Sequence, residues 1–117
     1  MLQHLTIIAH LKAGLGSLAI GCLLSLATPA VAWDGAVEGV VSTMSVTGGS
    51  NYGLRIYLSG IPALCNGGPS WAFLNDTDSN YKTYAAALML AKAQGNRVMV
   101  YSNLEGSYCH IGYIEVR

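Results

Sequence analysis

WAFLNDTDSNYKTYAAALMLAKAQG, residues Trp71 to Gly95, reads as a short strand, a polar turn and one helix, and the rest of the chain is arranged around it. Asp78, Ser79 and Asn80 are candidate N-caps, because their side-chain oxygens can accept the first free backbone N–H groups. Gly95 followed by Asn96 reads as a left-handed stop. Between these marks Tyr81, Tyr84, Ala85 and Leu88 recur at helical spacing and should face a core. Ala86, Ala87, Met89, Leu90 and Ala93 fill most of the remaining circumference, against the polar Lys82, Thr83, Lys92 and Gln94. A helix that is apolar nearly all round is usually buried on more than one side. A domain of this size cannot enclose such a helix alone, so Ala86, Ala87, Leu90 and Ala93 are expected at an interface with another copy of the chain. The competing explanation is that the alanines reflect helix propensity only.

Upstream, the first 32 residues read as a targeting segment. His4, His10 and Lys12 mark its start, Ala13 to Ala27 form an apolar run, and Thr28-Pro29-Ala30-Val31-Ala32 ends in an A-x-A cleavage pattern. Cys22 raises a lipoprotein alternative, but Ala19 stands where leucine is normally required. Cleavage after Ala32 is the better reading and would leave Trp33 first, in a secreted or periplasmic protein. The apolar run is short for a membrane span, and no stable membrane insertion is expected.

Residues 33–117 then form a single small domain. Charge is balanced over the whole chain, with Lys+Arg 6 against Asp+Glu 6, and no basic run is present. That argues against nucleic acid as the partner. Cys65 and Cys109 remain after leader removal, and an export context makes one intrachain disulfide the natural reading. Its loop would contribute roughly 4 kcal/mol through chain entropy. Two thiols and His110 make a poor ligand set for a metal, and no pattern calls for a cofactor.

Strand patterns flank the helix. Ala36–Val46 is rich in β-branched residues with Gly39 as a candidate bulge, Thr47–Asn51 is a turn, and Tyr52–Leu58 alternates as a half-buried strand. Ser59–Ser70 is a Gly/Pro-rich loop; Trp71–Leu74 is the third strand. After the helix come strand Arg97–Tyr101, a polar turn over Ser102–Tyr108, and strand Cys109–Val116. In the last of these, Ile111, Tyr113 and Glu115 should share one face and His110, Gly112, Ile114 and Val116 the other. The expected fold is mainly β: a five-stranded OB-fold-like barrel with one α-helix between the third and fourth strands. A sandwich or an open α+β sheet shares this order of elements.

Residues Trp71-Ala72-Phe73-Leu74-Asn75, the Tyr81–Gly95 helix, the lone cysteine of the Gly/Pro-rich loop and the ending Tyr108-Cys109-His110-Ile111-Gly112-Tyr113-Ile114 carry a resemblance. Together they resemble small secreted bacterial proteins similar to the binding subunit of subtilase cytotoxin. That resemblance implies an OB-fold subunit of a pentameric ring, with helices lining a central pore and cell-surface glycans as ligands.

Catalysis finds little footing. His110 adjoins Cys109, which is inert if oxidised, and no nucleophile stands in a recognisable pattern with it. Asp76, Asp78 and Asn80 begin like a calcium loop, but Tyr81 replaces the required glycine. Exposed aromatics are the remaining signal, since flat rings with hydroxyls suit sugars. Among Trp33, Trp71 and the tyrosines, loop-adjacent Tyr52, Tyr101 and Tyr108, with Asn51 and Asn103 as polar companions, are the candidate ligand-binding residues. Two functions follow: a non-catalytic, ring-forming glycan-binding module, or an exported protein that binds another exported protein as inhibitor or structural subunit.

Overall fold

The computed structural model describes residues 33–117; the leader reading and Cys22 lie outside the described residues. Its elements are β1 (Gly35–Val46), β2 (Leu54–Leu58), β3 (Trp71–Leu74), α1 (Tyr81–Gln94), β4 (Arg97–Glu105) and β5 (Tyr108–Val116). β1 serves two neighbours. Its first half pairs antiparallel with β4, from Gly35↔Ser102 to Val40↔Arg97, and its second half with β2, from Val41↔Leu58 to Val46↔Leu54. β2 pairs antiparallel with β3, and β3 runs parallel to β5 through Ala72↔Cys109 and Phe73↔His110. The strands therefore close on themselves in the order β1-β2-β3-β5-β4, a ring rather than an open sheet. Closure removes the long unpaired edges that an open sheet would present.

Alternation explains the interior. Leu54, Ile56 and Leu58 of β2, Ala72 and Leu74 of β3, Val98 and Val100 of β4 and Cys109 and Ile111 of β5 all point inward and are buried. Leu88 and Ala91 of α1 are fully buried in the same core, with Tyr81, Tyr84 and Ala85 packed half-buried against it. The helix lies against β1, β4 and β5, and Tyr84 donates from its hydroxyl to the Gly112 carbonyl at 2.8 Å. Burying Leu88 stabilises the fold by roughly 2 kcal/mol. Cys65 and Cys109 form a disulfide with Cα atoms 5.7 Å apart, joining the β2–β3 loop to β5 across 44 residues. Gly68 is required beside it: a Cβ there would collide with both sulfur atoms.

Several local expectations are corrected. The helix takes no side-chain cap from Asn80, which sits in the left-handed region at φ 61. Instead the Tyr81 N–H donates to the Asp78 carbonyl at 3.1 Å, and the Asp78 side chain is engaged elsewhere. At the other end Gly95 is left-handed as expected, φ 71, and the Asn96 N–H reaches back to the Ala91 carbonyl at 3.0 Å. Strand β4 runs on to Glu105, so the polar turn shrinks to Gly106–Ser107; Ser102 is buried inside the strand and donates to the Leu64 carbonyl at 3.3 Å. Pairing with β5 satisfies that polar segment, which sequence polarity alone does not reveal.

Two bulges also differ from expectation. Gly39 lies in regular register with Val98, and the β1 irregularity falls at Ser42, between Val41 and Thr43. In β5 the register slips at Gly112, because Tyr101 faces Tyr113 while Ser102 faces Ile111. One extra residue reverses the side-chain phase. Cys109 and Ile111 point inward before it, and after it Ile114 does, with Tyr113 turned out. Glycine is needed at the bulge because the Trp33 ring lies where a Cβ would be.

Candidate functional site

The outward faces of β2, β3 and β5 carry a continuous set of large side chains. Since Ala72 and Leu74 point into the core, Trp71 and Phe73 must point out. Register then places Tyr57 beside Trp71, and Arg55 beside Phe73 beside His110. Tyr52 folds over this row from the β1–β2 loop and Tyr108 from the start of β5.

The rings interlock, Tyr52 meeting Phe73 and Tyr108 edge to face and the Trp71–Tyr108 pair tilted. Tyr52 lies 4.7 Å from Phe73 and 4.9 Å from Tyr108, both near perpendicular, and Tyr108 lies 4.8 Å from Trp71. Such pairs contribute about 0.5–1.5 kcal/mol each beyond their buried area. Phe73 is covered by this layer and is only 2% exposed although it faces away from the core, while Tyr52, Trp71 and Tyr108 stay half-exposed. Arg55 holds its guanidinium carbon 4.7 Å from the Trp71 ring centroid and donates to the Tyr52 and Asn51 carbonyls at 3.0 and 3.3 Å. A planar cation over an indole face is favourable, and those bonds aim it.

Tyr52 has φ 53, a left-handed conformation that is costly for a bulky residue. Its N–H donates to Asn75 Oδ1 at 2.8 Å, and the Asn75 N–H in turn donates to Asp78 Oδ2 at 2.8 Å. That same carboxylate oxygen meets His110 Nε2 at 2.7 Å, and His110 Nδ1 meets Glu105 Oε2 at 2.8 Å. The imidazole stacks flat on Phe73, 4.6 Å away at 7°. Burial pulls the His110 pKa down, but the hydrogen bonds and charges of Asp78 and Glu105 outweigh it and hold it above the ordinary value. Burial and then the Asp78 charge raise the Tyr84 hydroxyl pKa. The two carboxylates occupy opposite ring nitrogens and do not converge on a common point; among the described residues no group of three His, Cys, Asp or Glu side chains can hold a metal ion.

Of the five candidate ligand-binding residues, Tyr52 and Tyr108 come together here, and Asn51 joins them through its backbone carbonyl, which accepts from Arg55. Asn103 faces His110 across the β4–β5 pair, but its amide oxygen accepts the Asp34 N–H at 3.1 Å. Tyr101 belongs to a separate patch with Trp33 at 5.9 Å and Tyr113 at 5.0 Å. Sequence reasoning left out Arg55, Phe73 and His110 and did not rank Trp71 among the binding residues. WAFL is apolar at every position, so the outward turn of Trp71 and Phe73 became visible only from the burial of Ala72 and Leu74; for Arg55 and His110 it required the register.

Elsewhere, Ala86, Leu90 and Ala93 of α1 are exposed, Leu90 and Met89 by 56% each, and Ala87 is half-buried. Ala87 lines a shallow, mainly apolar groove of about 270 Å3 between α1 and β5, shared with Tyr84, Tyr113 and Val116. This concavity lies apart from the aromatic face, which is an open platform. Among the described residues no helix is long and apolar enough to cross a membrane. The chain matches no protein-family profile and no curated protein.

Proposed function

We propose that the protein is a secreted, non-catalytic glycan-binding module of OB-fold type, and that the face formed by Tyr52, Trp71, Tyr108, Arg55 and Asn51 is its ligand site. The carrying observation is the interlocked aromatic platform with an aimed guanidinium at its edge. A five-stranded ring with a helix after the third strand is the element pattern of the OB-fold. Ligands of that fold lie on the second and third strands, between the loops that follow the first and fourth. Trp71 and Arg55 stand on those strands here, and Tyr52 and Tyr108 at those loops. The left-handed Tyr52 supports the reading, since strain held by surrounding structure gathers at ligand sites.

Sugar is favoured over nucleic acid on electrostatic grounds. A polyanion is bound by many cations that displace its counterions. This face instead carries Arg55 over Trp71 and, on His110, the carboxylates of Asp78 and Glu105, a balance suited to a neutral or singly charged ligand with many hydroxyls. Its rings offer apolar surface to a sugar ring, and Arg55 offers donors to hydroxyl or carboxylate oxygens.

The exposed Ala86 and Ala93, small enough to permit close approach, with the exposed apolar Leu90 between them, favour a ring-forming assembly in which copies cover one another's helices. A protein-binding inhibitor or structural subunit is the second reading, favoured by Met89 and Leu90 standing bare on the same helix. An immobilised oligosaccharide array tests the first: the protein should bind a restricted set of glycans, and Trp71→Ala should weaken that binding at least tenfold, about 1.4 kcal/mol. An empty array together with a monomeric mass by light scattering would turn the assignment to the protein-binding reading.

A further inference from the structure

His110 joins the two loops that flank the aromatic face. Through Asp78 it reaches Asn75 and so the backbone of Tyr52; through Glu105 it reaches the Gly106–Ser107 turn, across which Glu105 pairs with Tyr108. Ionised carboxylates only accept hydrogen bonds. Both contacts are therefore hydrogen bonds only when both ring nitrogens carry protons. A neutral imidazole has one N–H, and its other nitrogen would oppose a carboxylate oxygen with a lone pair.

The two arms are unequal. The Asp78 side chain is 20% exposed and its Oδ2 is also held by the Asn75 N–H, whereas the Glu105 side chain is 59% exposed at a strand end and can turn into water. The titratable groups facing the ring are Asp78 from the β3–α1 loop and Glu105 from β4. β3 contributes the Phe73 ring, whose face favours the cation, and β4 contributes the Asn103 amide opposite in register.

We propose that His110 is a proton-operated clamp on the ligand face: protonated, it ties both loops, and deprotonated it keeps Asp78 and releases Glu105, loosening the turn that presents Tyr108. The bearing on ligand rests on the glycan-face reading; the clamp itself does not. Tyr52 stays held in both states, so the response is graded, about two- to fivefold in affinity for an arm this exposed.

The experiment is NMR of the disulfide-bonded protein produced from the full chain, without ligand, from pH 5.5 to 8.5, for wild type and Glu105→Gln. The Gly106, Ser107 and Tyr108 amide shifts should titrate with the His110 ring, and those of Asn75 and Tyr52 should move less. Glu105→Gln should lower the ring's midpoint and uncouple the turn. Turn amides that stay flat through the ring's titration, or a midpoint unmoved by Glu105→Gln, would overturn the clamp. The oligosaccharide array at pH 5.5 and 8.0 provides the second arm, with wild-type signals two- to fivefold weaker at pH 8.0 and Glu105→Gln insensitive. Equal binding at both pH values would overturn the link to the ligand face. An empty array beside a coupled titration would uphold the clamp and remove the glycan reading.

Discussion

The aromatic face and the outer face of α1 are both apolar and exposed, yet they are built in opposite ways. On the first, each ring is braced by another ring or by a polar group that is itself bonded: Tyr52 by Asn75, His110 by Asp78 and Glu105, Arg55 by backbone carbonyls. On the second, Ala86, Met89, Leu90 and Ala93 form an exposed stripe of apolar side chains at helical spacing. A rigid, polar-edged platform loses little entropy when a small hydroxylated ligand settles on it. Small and flexible apolar side chains suit a broad protein surface that can mould to them. On the reading proposed above, that difference is what distinguishes the proposed ligand face from the proposed assembly face.

The strongest way to break this comparison is from underneath. Cys109 lies between Tyr108 and His110 in β5, so the disulfide anchors the aromatic face from its inner side. Replacing Cys65 and Cys109 together by alanine should lower stability by about 4 kcal/mol, read as a fall in the urea midpoint. A loss under about 1 kcal/mol would mean that the face is anchored by packing alone. Next come the two sides of the helix. Leu88→Ala should cost about 3 kcal/mol, since Leu88 is fully buried. Leu90→Glu should change the protomer's own stability by no more than about 0.5 kcal/mol. If the outer face joins copies, light scattering should show Leu90→Glu shifting mass toward a single chain; an unchanged oligomer would place the interface elsewhere.

Asp78→Ala tests the bracing itself. It strands the Asn75 N–H and one nitrogen of His110, and should cost roughly 2 kcal/mol in chemical denaturation. A neutral result would show that Asn75 holds Tyr52 without support from Asp78. The smallest effect is in pH. His110 is held above its ordinary value of 6.5, so its contribution to stability is complete below about pH 6.5 and is lost as pH rises through the higher folded value. Denaturation midpoints at pH 6 and 9 should therefore differ in that direction in wild type and converge in His110→Gln.

Much of the fold was legible because it is written locally. Alternation in Leu54–Leu58 marks inward and outward residues, and Gly95 marks the helix end because it adopts φ 71 without a Cβ clash. The site was legible only in part. Asn51, Tyr52 and Tyr108 were chosen for being aromatic or amide residues near turns, a criterion that equally selected Tyr101, which stands with Trp33 instead. Asp78 looked like a helix cap because residues before a helix usually are; its carboxylate instead turns to His110, 32 positions away. No local pattern encodes that choice, since a capping bond and a distant ion pair compete for the same oxygen.

By itself the sequence determined the succession of strands and helix and the inward residues of β2, for these follow from periodicity and glycine conformation; with residues 1–32 set aside as a leader it also left Cys65 and Cys109 as the natural pair. Tertiary structure alone decided the parallel union of β3 with β5, the bulge at Gly112 that turns Tyr113 outward, and the meeting of Tyr52, Trp71, Tyr108 and Arg55 on one face. The reason is register: a strand's own alternation says which residues share a side, but only its alignment with a distant strand says which side chains become neighbours.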